Sequence, residues 1–95
     1  MTAYVIASVT VTDAEKYKNY MALSPAAVAA ADGKFIVRGG NLKVLEGAWA
    51  NPRIVIVEYA TREAAEAFYD SALYVAARAE REGAAQFNMI VVDGV

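Results

Sequence analysis

The sequence predicts an α+β fold: a ferredoxin-like βαββαβ sandwich, a four-stranded antiparallel sheet with its helices on one face. Three observations predict it. Four short runs rich in Val, Ile, Tyr and Phe alternate with segments of helical spacing, in the order strand, helix, strand, strand, helix, strand. Ser, Thr and Asp stand where the helical segments begin, and glycines where they end. In strands three and four both alternating faces are apolar, so each side of the sheet needs a cover.

Residues 3–11, AYVIASVTV, make the first strand. TDAE then reads as a capping box, with Thr12 capping and Glu15 reaching back. Tyr17, Tyr20, Met21, Ser24, Val28 and Ala31 recur at steps of three and four and form the inner face of helix one. Pro25 falls inside it. Either the helix kinks there, or Ser24 caps a second short helix with Pro25 at its first position. Gly33 is expected to end the segment.

Strand two is 34–39, and 42–46 is a short strand or an arm. Gly39 and Gly40 allow a sharp turn or bulge at the strand's end, or a ligand's close approach to the backbone beside Arg38. Strand three is 53–60, RIVIVEYA. Thr61 caps a helix with Ala64, Ala65, Phe68 and Tyr69 inside. Ser71 caps a further helix, 72–83, ended near Gly83, and strand four is 86–93.

Composition sets limits. Ninety-five residues are expected to form a single domain, 1–95, burying only roughly 60–65% of the unfolded surface. Yet 58% of the residues are hydrophobic, more than so small an interior holds, and the excess points to an oligomer interface. The strands say where. Ile54 and Ile56 point one way and Val55 and Val57 the other, and Met89 and Val91 oppose Ile90 and Val92 in the same manner. Nothing else in the chain can cover the second face, so a homodimer with sheets face to face is expected.

No apolar run approaches the ~18–20 residues that span a membrane, so no membrane partner is expected. The opening MTAYVIASVTVTD has no basic leader and reads as a strand, which argues against a signal peptide. Without cysteine there are no disulfides, and a net charge of −2 with no basic cluster argues against nucleic acid. The cytoplasm is the expected setting.

VRGGNLKVLEG followed by Trp49, then RIVIVEY with the downstream EAA, FYDSALY and Arg78, then VVDGV, resemble the domain-of-unknown-function 1330 family of the dimeric α+β barrel superfamily. The pieces that carry the resemblance are Arg38-Gly39-Gly40, Glu46-Gly47, Trp49, Arg53, Glu58, Tyr69, Ser71, Tyr74 and Arg78. It spans nearly the whole chain. It implies a ferredoxin-like fold dimerising through its sheets, and no activity. Where the family often has Ser-Pro-Glu-Tyr, this chain has Ser71-Ala72-Leu73-Tyr74.

The absence of His and Cys removes the commonest general base and the thiol nucleophile, and leaves zinc or haem without usual ligands, so no metal and no cofactor are expected. Arg38 is expected to pair with Glu58 or Glu46, or to clamp a carboxylate or phosphate. Glu58, an acid within an apolar run, is a paired structural group or a general acid/base. Trp49 packs on a partner or under its loop, or forms a stacking wall. Tyr74 and Arg78, four apart, share a helix face and form either a local stack or one wall of a cleft. Ser71 reads as a cap, since no base stands ready to activate it.

Arg38, Glu46, Trp49, Arg53, Glu58, Tyr69, Ser71, Tyr74 and Arg78 are thus the candidate ligand-binding residues, with Glu58 the catalytic candidate. The leading reading is a homodimer that binds a small anionic or aromatic metabolite in a cleft between sheet and helices. The alternatives are a cofactor-independent enzyme using Glu58 and Arg38, monooxygenase- or isomerase-like as the resemblance to dimeric α+β barrels implies, and a structural dimer without ligand.

Overall fold

The computed structural model describes every residue, Met1–Val95. In chain order it contains β1 (Ala3–Val11), α1 (Ala14–Ala30), β2 (Lys34–Arg38), β3 (Arg53–Tyr59), α2 (Arg62–Asp70), α3 (Ala72–Glu80) and β4 (Ala85–Asp93). All strand pairs are antiparallel, in the spatial order β2-β3-β1-β4. The expected α+β sandwich is therefore present. No helix is long and apolar enough to cross a membrane.

Strand period decides what is buried. Ala3, Val5, Ala7 and Val9 of β1 face the helices and are buried; the residues between them are half-buried. Val57 and Tyr59 of β3 join them, against Tyr17, Tyr20 and Val28 of α1, Phe68 of α2 and Tyr74 of α3. Aromatic rings run through this layer in contact: Tyr59 with Phe68 at 5.4 Å, Phe68 with Tyr74 at 4.3 Å, Tyr74 with Tyr20 at 6.1 Å and Tyr20 with Phe87 at 5.7 Å between centres. The opposite face carries Ile6, Ile54, Ile56, Ile90 and Val92 and no helix; Ile90 is 58% exposed and Val92 40%.

Four local details either depart from expectation or decide between the alternatives it left open. Asp13, not Thr12, caps α1, its Oδ1 accepting from the Lys16 N–H at 3.1 Å. The Thr12 and Asp13 N–H groups both donate to the Ala84 carbonyl, at 2.8 and 3.0 Å, tying the end of β1 to the root of β4. Second, α1 runs unbroken through Pro25, and Ser24 is a buried mid-helix residue rather than a cap.

Third, the left-handed residue after α1 is Asp32, at φ 58, rather than Gly33. Gly33 is needed for space, because a Cβ there would lie 2.7 Å from Cε1 of the buried Tyr59 ring. Fourth, 42–46 is an arm and not a strand: residues 40–52 make no backbone–backbone hydrogen bond. Thr61 and Ser71 cap α2 and α3 as expected, accepting from the Ala64 N–H at 3.0 Å and the Tyr74 N–H at 3.2 Å. α3 stops at Glu80, and a turn leads to Gly83 at φ 77.

Candidate functional site

A cavity of about 40 Å³ lies between the helix face of the sheet and α1, α2 and α3. That is room for roughly three waters, at ~10–15 Å³ each on this measure. Val5, Ala7, Val55, Val57 and Met89 floor it, and α1 supplies Tyr17, Tyr20, Met21, Ser24 and Val28. Phe68 and Tyr74 close one wall. Arg38 is the one exposed residue of the lining and marks the mouth, beside the half-buried Arg53 and Phe35.

An irregularity in β2 brings Arg38 to the cavity. In a regular strand Arg38 would share a face with Lys34, because side chains alternate. Lys34 stands opposite Glu58 and Phe35 opposite Val57, but the register then shifts, so that Val37 stands opposite Ile56 and Arg38 opposite Val55. This bulge between Phe35 and Val37 turns Arg38 onto the Val55 side, toward the helices. The Arg38 guanidinium lies over the Phe35 ring, 4.7 Å from its centre.

The same bulge turns Arg38 away from Glu58, and the expected ion pair of Arg38 with Glu58 or Glu46 is not formed. Glu58 points to the helix-free face, in register with Lys34, and accepts a long hydrogen bond from the Tyr4 hydroxyl at 3.4 Å. Glu46 is exposed on the arm.

Arg53, the first residue of β3, faces the cavity beside the root of the arm. Its Nη2 lies 3.8 Å from the Met21 sulfur, and its Nε–H is buried with no partner. Gly39 makes room for it. At φ 70, Gly39 occupies a conformation most residues avoid, and a Cβ there would fall 2.1 Å from Arg53 Nη1. Gly40 has open space around it. Of the two glycines, then, only the first is required by geometry.

Deeper in, the Tyr20 and Tyr74 hydroxyls are 2.6 Å apart and hydrogen-bonded. One proton of that pair is used between them; the other has no protein acceptor. Burial pushes the Tyr20 phenol well up, with the neighbouring Tyr74 adding to the shift. Burial also raises Tyr17, against the opposing pull of the Arg53 guanidinium beside it. The polar groups of the lining are thus two guanidiniums, three phenols and the Ser24 hydroxyl, with no carboxylate, amide or imidazole. Guanidinium can only donate. Such a lining suits a ligand that brings oxygen acceptors, and a negative charge above all.

The other candidate residues lie elsewhere. Arg78 is a clamp between helices: Nη1 donates to the Tyr69 hydroxyl at 2.9 Å, Nη2 to the Tyr69 carbonyl at 3.2 Å, and the guanidinium sits 3.9 Å from the Tyr69 ring centre. Tyr69 is therefore outside the core rather than within it. Ser71 caps α3 and also donates to the Phe68 carbonyl at 2.7 Å. Trp49 is exposed on the arm. Arg38, Arg53 and Tyr74 reach the cavity; Glu46, Trp49, Glu58, Tyr69, Ser71 and Arg78 do not.

Tyr17 and Tyr20, which the sequence places in the core with their hydroxyls reaching the rim, line the site although neither was named a binding candidate. The signal was their chemistry: two phenols on an inner helix face carry hydroxyls that need partners when buried.

The chain is similar in fold to several solved structures. A protein of unknown function from Rhodopseudomonas palustris, RPA0582, is 19% identical, with a TM-score of 0.79 over 99% of this chain and 82% of that one. A dimeric ferredoxin-like protein of unknown function from Jannaschia sp. CCS1 is 10% identical, with a TM-score of 0.75 over 99% and 100% of the two chains. SnoaB, a cofactor-independent oxygenase from Streptomyces nogalater, is 12% identical, with a TM-score of 0.67 over 99% and 93%. No curated protein matches the sequence. Residues 2–95 match the family described as domain of unknown function (DUF1330), and the chain belongs to that family.

Proposed function

We propose that this protein is a homodimer that binds a small anionic metabolite, its acidic group held at Arg38 and Arg53 and its body in the cavity between sheet and helices. The observation that carries this reading is the pair of guanidiniums at the mouth of a cavity whose lining has no carboxylate. An arginine left without an anion beside an apolar wall is costly to desolvate, and a planar carboxylate answers it with two parallel hydrogen bonds. The walls are otherwise apolar, which favours a monoanion with a compact hydrocarbon or aromatic body over a strongly hydrated dianion.

The dimer is supported by the uncovered apolar face of the sheet and by the dimeric state of the similar ferredoxin-like protein from Jannaschia. An oxygenase among the similar folds keeps a cofactor-independent reaction in view. The catalytic pair that such a reading would use, Glu58 and Arg38, points to opposite faces of the sheet. Within one protomer it has no common substrate position, so binding is the reading we retain.

The test is thermal melting with millimolar propionate, benzoate and inorganic phosphate, on the wild type and on Arg38→Ala and Arg53→Met. Binding to the folded state alone raises the melting temperature with ligand concentration, by about 2.7 kcal/mol of stability at a hundred times the dissociation constant. The expected result is a shift with a carboxylate that both variants lose. No shift with any probe, or an equal shift in the variants, overturns the reading.

A further inference from the structure

The arm, residues 40–52, leaves the sheet between β2 and β3 and returns to it without a single backbone–backbone hydrogen bond. It is tied down only near its end, where Asn51 accepts from the Thr10 hydroxyl at 2.6 Å and donates to the Ser8 hydroxyl at 3.4 Å. Ser8 stands opposite Ile54 and Asn88, so these anchors lie on the helix-free face of the sheet. Leu42, Val44, Leu45 and Trp49 are exposed along the arm; Leu45 is 89% exposed and Trp49 56%. Four large apolar side chains are thus exposed on a segment whose end is anchored at the uncovered apolar face of the sheet.

Areas indicate what this surface meets. The strands hold 9, 5, 7 and 9 residues. At a rise of ~3.3 Å and a spacing of ~4.8 Å, the helix-free face covers only roughly 480 Å². A stable dimer buries about 800 Å² on each partner. That footprint is small for such an interface, and the four exposed arm side chains add on the order of 300 Å² of apolar surface beside it. Face and arm together offer an apolar surface of the order a specific interface uses.

We propose that the arm is a clasp on a second copy of this chain, with Leu45 and Trp49 seated against the partner beside the paired sheet faces. This rests on the proposed dimer and adds the element that makes it stable. A two-fold interface contains every residue twice, so each arm substitution acts twice. Burying one leucine is equivalent to about a tenfold change in dissociation constant or more, and two copies to about a hundredfold.

The experiment is sedimentation of wild type and Leu45→Asp across a dilution series, with Trp49 emission recorded on the same samples. Leu45 is too exposed within the protomer for its replacement to disturb folding. Trp49, the one tryptophan, reports on the arm alone. A wild-type dimer with short-wavelength Trp49 emission that moves to longer wavelength on dissociation, together with a dimer weakened about a hundredfold by Leu45→Asp, supports the clasp. A dimer that Leu45→Asp leaves intact, with Trp49 emitting as in water throughout, overturns the clasp and spares the dimer. A wild-type monomer at every concentration overturns both.

Discussion

The hydroxyls of Tyr20 and Tyr74 meet at 2.6 Å across the interior, joining α1 to α3 over a sequence separation of 54 residues. They form the deep polar end of the cavity whose mouth carries Arg38 and Arg53. Removing either phenol oxygen leaves the other buried without its partner. Tyr20→Phe and Tyr74→Phe should each destabilise the fold by about 1–2 kcal/mol, and the double variant by less than the sum. Urea denaturation of the four proteins checks this; strict additivity would mean that the two hydroxyls do not depend on each other.

Alkaline titration reads the same burial. Tyr17, Tyr20 and Tyr59 are all raised above the ordinary value of 10.0, chiefly by desolvation. A folded-state value above the unfolded one means that these phenols favour the fold fully below pH 10 and withdraw that stability as pH rises beyond it. Absorbance at 295 nm should therefore show these three of the six tyrosines ionising only together with loss of far-ultraviolet circular dichroism. Six independent ionisations near pH 10 in a protein that stays folded would contradict the packing described.

Two glycines separate space from freedom. A methyl group at Gly33 would press on the Tyr59 ring at 2.7 Å, and that ring is 1% exposed and cannot swing aside. Gly33→Ala should cost about 1–3 kcal/mol. Gly40, with nothing within 4 Å of an added methyl, should accept alanine with little change. Thermal unfolding of the two variants tests the contrast, and equal effects would contradict it.

Arg78 is a structural clamp, so its removal should lower stability without touching the cavity. Arg78→Ala loses two hydrogen bonds and the stack on Tyr69, about 1–2 kcal/mol in all. Lysine cannot restore the forked geometry and should rescue little. A variant as stable as wild type would contradict the clamp, and one that alters the response to carboxylates while Arg53→Met does not would move the site to the α2–α3 surface.

What the sequence made legible follows from where its signals are local. The strands and the caps at Thr61 and Ser71 are written in neighbouring residues, and the structure has them there. The two apolar faces of β3 were also legible, but equal faces do not say which one meets the helices. Glu58 could therefore be placed in the cleft by sequence when it lies on the other side. Arg38 was the reverse case. It reaches the cavity only because of a bulge near Ile36, and nothing in KFIVR marks a bulge. The cap at Asp13 and the turn at Asp32 were missed because a capping box at Thr12 and a glycine at position 33 are the familiar local patterns, while Asp, itself a favoured cap residue and one that tolerates the left-handed region, takes both positions.

The most direct test of the account is a high-resolution crystal structure of the protein grown with benzoate. The expected result is a dimer packed through the helix-free sheet faces, with a carboxylate bridging Arg38 and Arg53 and its ring directed toward Tyr20 and Tyr74. Arginines paired with carboxylates across the dimer interface, with only water in the cavity, would contradict it.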